Sequence, residues 1–254
     1  AFDSTRRRGE GEPPNTSDLF VMNADGTDQQ FVVRGSSATW SPDGRHLAFH
    51  ASASGKGVPI KPDPGAATAD SDIFIIDGTE GLRSHAAPRN LTSNRTAIDD
   101  DPDWSPDGTT IVFTSHAASD NAMNSATAEI YAIRADGTGQ PLRLTNNTEE
   151  ERGPSWSPDG RRIVYACRRN GLDLEICVMN ADGTGEIVLT NNSVADLTPA
   201  WSPDARRIVF HRPVGGTGRF QLFRINADGT GEMQLTSPPG FNAFPNWEPV
   251  RPRR

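Results

Sequence analysis

Acidic side chains gather shortly before three of the tryptophans in this chain. Asp99-Asp100-Asp101 precedes Trp104, Glu149-Glu150-Glu151 precedes Trp156, and Asp196 precedes Trp201. Carboxylates that are brought together attract a basic group, or a hard cation such as Ca²⁺ that prefers oxygen ligands. Carboxylates that stay apart are ordinary solvated loop residues, and the elements that carry them decide between the two cases.

A repeated motif follows each tryptophan. In its full form the tryptophan opens a Ser-Pro-Asp-Gly turn that leads into a short apolar strand, as in Trp104 to Gly108 before Ile111-Val112-Phe113. Related copies start at Trp40, Trp156, Trp201 and, in shortened form, Trp247. Between the copies, a second apolar run ends in Asn-Ala-Asp-Gly-Thr or a close variant, and a Leu-Thr strand follows it. An Asp-Gly pair after a strand is a strong hairpin signal.

Each unit therefore holds four short strands: A through the tryptophan, B with the Ile-Val-Phe run, C before the Asp-Gly turn, and D with Leu-Thr. Antiparallel units repeated at this spacing are typical of β-propeller blades. We predict one all-β domain over residues 1–254 with five blades, six being the alternative. Ala1 to Ser4 matches the end of a strand B and Trp247 lies in a strand A, so we expect both ends to share one blade and close the ring.

The combination of Trp-Ser-Pro-Asp-Gly, an apolar strand, Asn-Ala-Asp-Gly-Thr and Leu-Thr resembles the TolB-like propeller repeat, also called the WD40-like or PD40 repeat. The resemblance covers essentially the whole chain and implies the propeller fold. It does not imply one activity, because the same propeller serves binding proteins, peptidase accessory domains and pectate-degrading lyases. The TolB protein has six blades and an additional α/β domain, so its partners are not carried over to this chain.

The connections place the acidic residues on one face of the propeller. A–B and C–D turns are short and uniform, whereas B–C and D–A connections vary, and we call the end that carries the latter the loop-rich face. Because variable loops on a rigid scaffold often bind ligands, we expect a site there, where strands A meet at the channel. The expected binding residues are Asp99, Asp100, Asp101, Glu151, Asp196 and Asn242. A divalent cation, if one binds, would be held by Asp99, Glu151 and Asp196, although no cofactor is required.

Composition narrows the partners further. The formal charge of −8 argues against a nucleic-acid binder, and no apolar run is long enough for a membrane helix. We predict a monomeric, non-catalytic scaffold for a protein or small polar ligand. The alternative is an enzyme acting on a carbohydrate, lactone or ester, with His116 or His211 working beside channel carboxylates.

The two cysteines bear on the compartment in which the protein works. Cys167 falls at the end of a strand B and Cys177 lies on strand C of the same unit, so a cross-strand disulfide is geometrically possible. Two buried thiols are the alternative. The disulfide and the family resemblance together predict an extracytoplasmic protein, either periplasmic or secreted.

Overall fold

The computed structural model describes residues 1–4, 18–51, 71–77, 87–93, 97–117, 128–169, 173–215 and 219–247. Within these ranges every regular element is a β-strand. None of them holds a helix that would be long and apolar enough to cross a membrane. Most B–C connections, including much of the Gly-rich segment after Val214, lie outside the described residues.

The strands form five antiparallel sheets in which neighbours along the chain pair. A three-stranded N-terminal sheet holds β1 (Phe2–Ser4), β2 (Asp18–Val21) and β3 (Gln30–Arg34). Four complete blades follow, numbered I to IV, each with strands A to D in order. Blade I contains β4 (Ser36–Trp40), β5 (His46–Ala51), β6 (Asp72–Asp77) and β7 (Arg89–Asn90). Blade II contains β8 (Ala97–Trp104), β9 (Thr110–Ala117), β10 (Glu129–Arg134) and β11 (Leu142–Arg143). Blade III contains β12 (Glu151–Trp156), β13 (Arg162–Arg168), β14 (Leu174–Asn180) and β15 (Ile187–Val188). Blade IV contains β16 (Leu197–Trp201), β17 (Arg207–Val214), β18 (Arg219–Asn226) and β19 (Met233–Gln234).

The hydrophobic core lies between the sheets. In blade II, Ile111 and Phe113 pack in one cluster with residues of blade I, while Val112 packs in another with residues of blade III. Successive side chains of a strand point to opposite faces, so a strand covered on both faces is apolar at every position. This is why strand B contains an unbroken Ile-Val-Phe or Ile-Val-Tyr run.

Three of the tryptophans bond the inner strand of the preceding blade through the indole N–H. The indole Nε1 of Trp104 donates to the carbonyl of Thr39, which immediately precedes the tryptophan of blade I (3.2 Å). Trp201 donates in the same way to Ser155, and Trp247 to Ala200, both at 3.2 Å. The repeated tryptophan therefore supplies apolar area together with one fixed hydrogen bond across a blade junction.

Every strand A is bulged at the same place. In each of the four blades the A–B register shifts within the segment that leads into the tryptophan. The residue three places before each tryptophan has a positive φ, with values from 47° to 57°. These residues are Ser37, Asp101, Gly153, Thr198 and Phe244, the last belonging to the segment before Trp247. The bulge bends the innermost strand and turns its side chains at the loop-rich face.

The prediction of five complete blades closed by a shared terminal blade is wrong. Four blades are complete, the N-terminal sheet has three strands, and no described residue around Trp247 forms a strand. The physical reason is pairing. The segment 242–247 has the bulge and the tryptophan contact of a strand A, but it docks sideways on blade IV and pairs with no strand B in the described part of the chain. The sixth blade considered as an alternative is also absent from the described residues.

The indole hydrogen bond can be tested with two tryptophans at the same repeat position. Trp104→Phe keeps an aromatic ring but removes the N–H that bonds Thr39, whereas the Nε1 of Trp156 finds no acceptor among the described residues. We expect Trp104→Phe to lower the free energy of unfolding by about 1 kcal/mol more than Trp156→Phe does. Urea unfolding followed by far-UV circular dichroism measures both losses, and equal losses would contradict this role of the indole.

Candidate functional site

The residues five places before each tryptophan sit at the junctions between neighbouring sheets. The backbone N–H of Glu151 donates to the carbonyl of Ala128 at the start of strand C in the preceding blade (2.8 Å). Asp99, Asp196 and Asn242 make the same bond to Ser71, Leu174 and Phe220. Strand C starts at the loop-rich end, so the expected site residues do lie on that face. The side chains of Asp99, Glu151 and Asp196 are buried there.

At each of these junctions the side chain meets a polar residue of strand C that the repeat analysis missed. The carboxyl group of Glu151 lies within hydrogen-bonding range of Glu129, and charge interactions couple Asp99 to Asp72 and Glu175 to Asp196. At the last junction the Nδ2 of Asn242 donates to the Oε1 of Gln221 (3.2 Å). The strand C residues Asp72, Glu129, Glu175 and Gln221 are all buried. Each stands directly before the apolar run of its strand, so an alignment of the repeats could have identified these residues.

In three of the four blades, the threonine of the Leu-Thr strand connects this polar residue to the sheet. Thr190 accepts the backbone N–H of Ile176 through its Oγ1 and donates the hydroxyl proton to Glu175 (2.9 and 2.7 Å). Thr236 does the same between Leu222 and Gln221. Because the hydroxyl group is both acceptor and donor, it satisfies a backbone group and a buried side chain together.

Two arginines neutralise the buried acids of the last two blades. Arg212 binds both carboxylate oxygens of Asp196 (2.6 and 2.9 Å) and reaches Glu232 at the start of strand D (2.7 Å). Its guanidinium group also stacks on Phe210 and Phe223 of the same blade. Arg169 binds Glu151 (2.8 Å) and Glu186 in the corresponding arrangement of blade III. Asp196 and Glu151 are therefore both bound by an arginine inside the fold.

Burial is the main cause of the pKa shifts of these acids. It raises the pKa of Asp99 to about 6 and that of Glu151 to about 7. It also raises the pKa of Asp196, although Arg212 opposes the shift. The cause is the cost of holding a charge away from water, which favours the neutral acid.

The structure does not bring Asp99, Glu151 and Asp196 to one point. Each is bonded within its own junction, between a different pair of blades. Across the residues that the structure describes, no group of three or more His, Cys, Asp or Glu side chains is placed to hold a metal ion. At the loop-rich end, residues three places before neighbouring tryptophans do meet, since Ser37 bonds Asp101. We call the residues three and four places before each tryptophan the mouth.

Asp100 and Asp101 are adjacent acidic residues of the mouth, and both are half-buried. Asp101 accepts a hydrogen bond from the hydroxyl of Ser37 on the inner strand of blade I (2.8 Å). Burial and the neighbouring carboxylate of Asp101 raise the pKa of Asp100, and the nearby Arg152 partly offsets this. The pair therefore forms a concentrated acidic patch beside one arginine.

The same repeat position brings an aromatic side chain to the mouth. Phe244 is 76% exposed although its φ is positive, a conformation that bulky residues rarely adopt. Phe241, three residues earlier, is 64% exposed and contacts the ring of Phe220. The mouth thus carries acidic groups on blade II and the exposed ring of Phe244, and Phe241 is exposed on the same segment before Trp247.

A cavity of about 310 Å³ lies at the opposite, turn-bearing end of the inner strands. The residues just before successive tryptophans, Asp103, Ser155, Ala200 and Asn246, line it together with tryptophan and proline side chains. Asp103 accepts the backbone N–H of Trp156 (2.8 Å), and burial raises its pKa to about 6. One cavity shared by all four blades and the segment before Trp247 indicates that the inner strands surround a common axis.

The histidines of strand B hold blades together. The Nδ1 of His211 accepts the backbone N–H of the bulge residue Phe244 (3.2 Å) and lies 2.7 Å from the hydroxyl of Thr198. His50 accepts the equivalent N–H of Asp101 (3.3 Å). His211 is buried between Phe220 and Phe244, and desolvation lowers its pKa to about 4. It is therefore a neutral acceptor at pH 7, which gives no support to its expected role as an acid or base. His116 is also buried.

Cys167 and Cys177 are joined by a disulfide, with their Cα atoms 5.8 Å apart. The bond links strands β13 and β14 of blade III, and both sulfur-bearing side chains are fully buried. Glu151 pairs with Cys167 across the sheet, so the disulfide lies beside the junction between blades II and III.

The Arg212–Asp196 pair yields a stability prediction. Arg212→Met keeps apolar contact with the two phenylalanines but leaves Asp196 buried without its cation. We expect a loss of about 3 kcal/mol in the free energy of unfolding, of which adding Asp196→Asn restores a large part, because the neutral amide needs no counter-charge. Urea titration of the wild type and the three variants gives the coupling energy. A double variant no more stable than Arg212→Met would refute the pairing.

His211 yields a pH prediction. Its pKa in the folded state, about 4, lies below the value near 6.5 of an unfolded chain, so its contribution to stability is complete above pH 6.5 and is lost as the pH falls towards 4. Between pH 7.5 and 4.5 we expect the wild type to lose on the order of 1–2 kcal/mol relative to His211→Gln, whose side-chain carbonyl still accepts the Phe244 N–H. Parallel slopes for both proteins would show that this histidine does not titrate as described.

Comparisons with known proteins agree with this architecture. The chain is 27% identical over 175 residues to the uncharacterized protein Atu1656 of Agrobacterium fabrum, covering 57% of this chain and 54% of that protein. It is 34% identical over 108 residues to the Tol-Pal system protein TolB of Francisella tularensis, covering 42% of this chain and 22% of that protein. The chain therefore spans about half, or less, of the length of these relatives.

Solved structures show the same fold. TolB from Acinetobacter baumannii superposes with a TM-score of 0.69 at 21% identity, over 92% of this chain and 52% of that one. An oligogalacturonate lyase from Vibrio parahaemolyticus superposes with a TM-score of 0.60 at 13% identity, over 88% of this chain and 60% of that one. The family model for the TolB beta propeller domain, PD40, matches residues 66–251. With its repeats, its radial blades and this match over most of its length, the chain belongs to the TolB β-propeller domain family.

Proposed function

We propose that this propeller is a non-catalytic binding module whose mouth holds a basic segment of a protein or a small polar ligand. The observation that carries the proposal is the difference between the buried and the accessible acids. Asp99, Glu151 and Asp196 are enclosed within junctions, whereas Asp100 and Asp101 lie side by side and half-buried at the end of the inner strand of blade II. Accessible carboxylates in a partly desolvated recess attract cations more strongly than fully solvated ones do.

Two further features favour a partner that is basic and partly apolar. Phe244 and Phe241 are exposed on the same face as the acidic pair, and aromatic side chains often anchor protein interfaces. The overall charge of −8 also attracts a basic partner and repels a polyanion. A peptide that carries an arginine or lysine next to an apolar residue matches both parts of the mouth.

We further infer that the protein works outside the cytoplasm, in the periplasm or as a secreted protein, and as a monomer. The Cys167–Cys177 disulfide supports the compartment, because such bonds persist in oxidising environments. The similarity to proteins named for the Tol-Pal system is consistent with a role in binding proteins.

An enzymatic role has weaker support. Some neighbours with the same fold are enzymes, including the oligogalacturonate lyase and a puromycin hydrolase, but their identities of 13% and 16% carry only the fold. Of the two histidines expected to serve as acid or base, His211 is a neutral acceptor bonded to Phe244, and His116 is buried. We therefore place catalysis second.

Substitution of Asp101 tests the proposed site. Asp101→Asn removes one charge and retains a side chain that tolerates the positive φ of this position. We expect it to weaken the binding of a fluorescein-labelled peptide library of Arg/Lys-aromatic sequences by about threefold to tenfold, measured by fluorescence anisotropy in 50 mM NaCl. Phe244→Ser, which introduces the residue type found at Ser37, should weaken the same peptides.

The matched control is Asp28→Asn. Asp28 is also an aspartate with a positive φ, but it is exposed and lies at the turn-bearing end of the N-terminal sheet. We expect its substitution to leave peptide binding unchanged. If Asp28→Asn weakens binding as much as Asp101→Asn does, the peptides respond to total charge and the mouth is not the site.

A further inference from the structure

We propose that Glu129 and Glu151 share one proton at neutral pH, so that an O–H···O hydrogen bond joins blade II to blade III. Both side chains are almost completely buried, with exposed fractions of 2% and 0%. They stand at equivalent places on facing elements, Glu129 at the start of strand C in blade II and Glu151 at the start of strand A in blade III.

The hydrogen bonds of the two carboxyl groups are divided unequally between their oxygens. Oε1 of Glu129 accepts from the guanidinium of Arg143 and from the backbone N–H of Asn147. Oε1 of Glu151 accepts from Arg169 and from the side-chain amide of Asn147, both at 2.8 Å. The remaining oxygens, Oε2 of each residue, are buried and have no donor among the described residues. The two groups are brought together by Asn147, which bonds both of them, and by the bond from the Glu151 N–H to Ala128, the neighbour of Glu129. Glu129 also acts on Glu151 as a hydrogen-bonding partner.

Two ionised carboxylates cannot satisfy this arrangement, because both are acceptors only. One added proton turns either group into a donor, so that one carboxyl group can bond the other. It also removes one of two like charges held close together away from water, which is the situation in which a carboxyl group keeps its proton.

The last junction shows the same contact in neutral form. Gln221 and Asn242 occupy the positions of Glu129 and Glu151, and there an amide N–H donates to an amide oxygen at 3.2 Å. The repeat geometry therefore calls for one donor and one acceptor at this place. Amides provide both permanently, whereas two glutamates provide both only when one is protonated.

The surrounding charges are consistent with a single proton. Arg143 of β11 faces Glu129, while Arg169, after β13, faces Glu151 and is shared with Glu149 and Glu186. The hydroxyl of Tyr165 points to Glu186. Burial, with the carboxyl of Glu129 as a further contributor, raises the pKa of Glu151 to about 7, although Asn147 and Arg169 oppose the shift.

The direction of the pH effect follows from linkage. An unfolded glutamate releases its proton near pH 4.5, whereas Glu151 in the folded protein keeps its proton until about pH 7. The stabilisation is therefore complete below pH 4.5 and is lost as the pH rises through 7. This is opposite in sign to the effect of an aspartate bound by an arginine, and opposite to that of His211.

A ¹³C NMR titration of the folded protein labelled at the glutamate Cδ tests the proposal directly. We expect one carboxyl resonance, or a coupled pair, with a midpoint between pH 6 and 8. No carboxyl resonance with this midpoint should remain in Glu129→Gln or in Glu151→Gln, because the new amide donates to the remaining carboxylate. Glu186→Gln is the matched control: it removes another carboxylate bound to Arg169 and should leave the resonance in place.

Urea midpoints supply the second measurement. Relative to Glu129→Gln, the wild type should lose stability between pH 5 and pH 8. The proposal is overturned if every glutamate of the folded wild type titrates below pH 5.5, a result that does not depend on whether the variants fold. It is also overturned if 1 mM CaCl₂ at pH 7.5 shifts both carboxyl resonances, because a bound cation would then occupy the place of the proton.

Discussion

Each blade of this propeller is fixed by the segment that leads into its tryptophan. Within about six residues, this segment donates a backbone N–H to the start of strand C in the sheet before it, bends through a residue with positive φ, and ends in an indole. The indole of Trp104, Trp201 or Trp247 then bonds the preceding inner strand. Packing of fully apolar strands fills the space between sheets, but it has no direction, and these polar bonds set the register between neighbours.

The same constraint explains why so many charged groups are buried. The D–A connection must pass over the start of strand C, so side chains from both elements are enclosed together. Thr190, Arg169 and Arg212 supply donors there, and the raised pKa values of Asp99 and Glu151 reflect their burial. The acidic residues that the sequence offers to a ligand therefore fall into two groups. Asp99, Glu151 and Asp196 are enclosed within the fold, whereas Asp100 and Asp101 are accessible.

The sequence predicted the strand order, the blade type, the family resemblance and the loop-rich end that carries the acids. These follow from local signals: alternation, Asp-Gly turns and the repeated tryptophan. It did not predict that only four blades are complete in the described part of the chain. The segment before Trp247 has every local feature of a strand A and lacks only a partner strand, which no local signal reports. It also predicted that three acids converge, because five-fold repetition suggests a ring of equivalent groups.

Whether each of these acids is paired depends on the residue that it faces. Only the tertiary structure shows which residue that is. Asp196 faces Arg212, Glu151 faces Glu129, and Asn242 faces Gln221, although all three occupy one repeat position. The strand C partners were visible as polar residues before each apolar run, so part of this information was present in the sequence. His211 was misjudged for a similar reason: its backbone partner Phe244 is 33 residues away.

The bulge at Phe244 carries a consequence for how the molecule is built. It has the same backbone shape as its counterparts in the four blades, yet it pairs with no strand of its own in the described chain. Contacts with blade IV, made through His211 and Gln221, hold this bend in place. Each finished blade thus offers hydrogen-bonding groups to the next inner strand. A ribosome delivering the chain from its amino end releases every inner strand beside a surface that is already shaped to receive it.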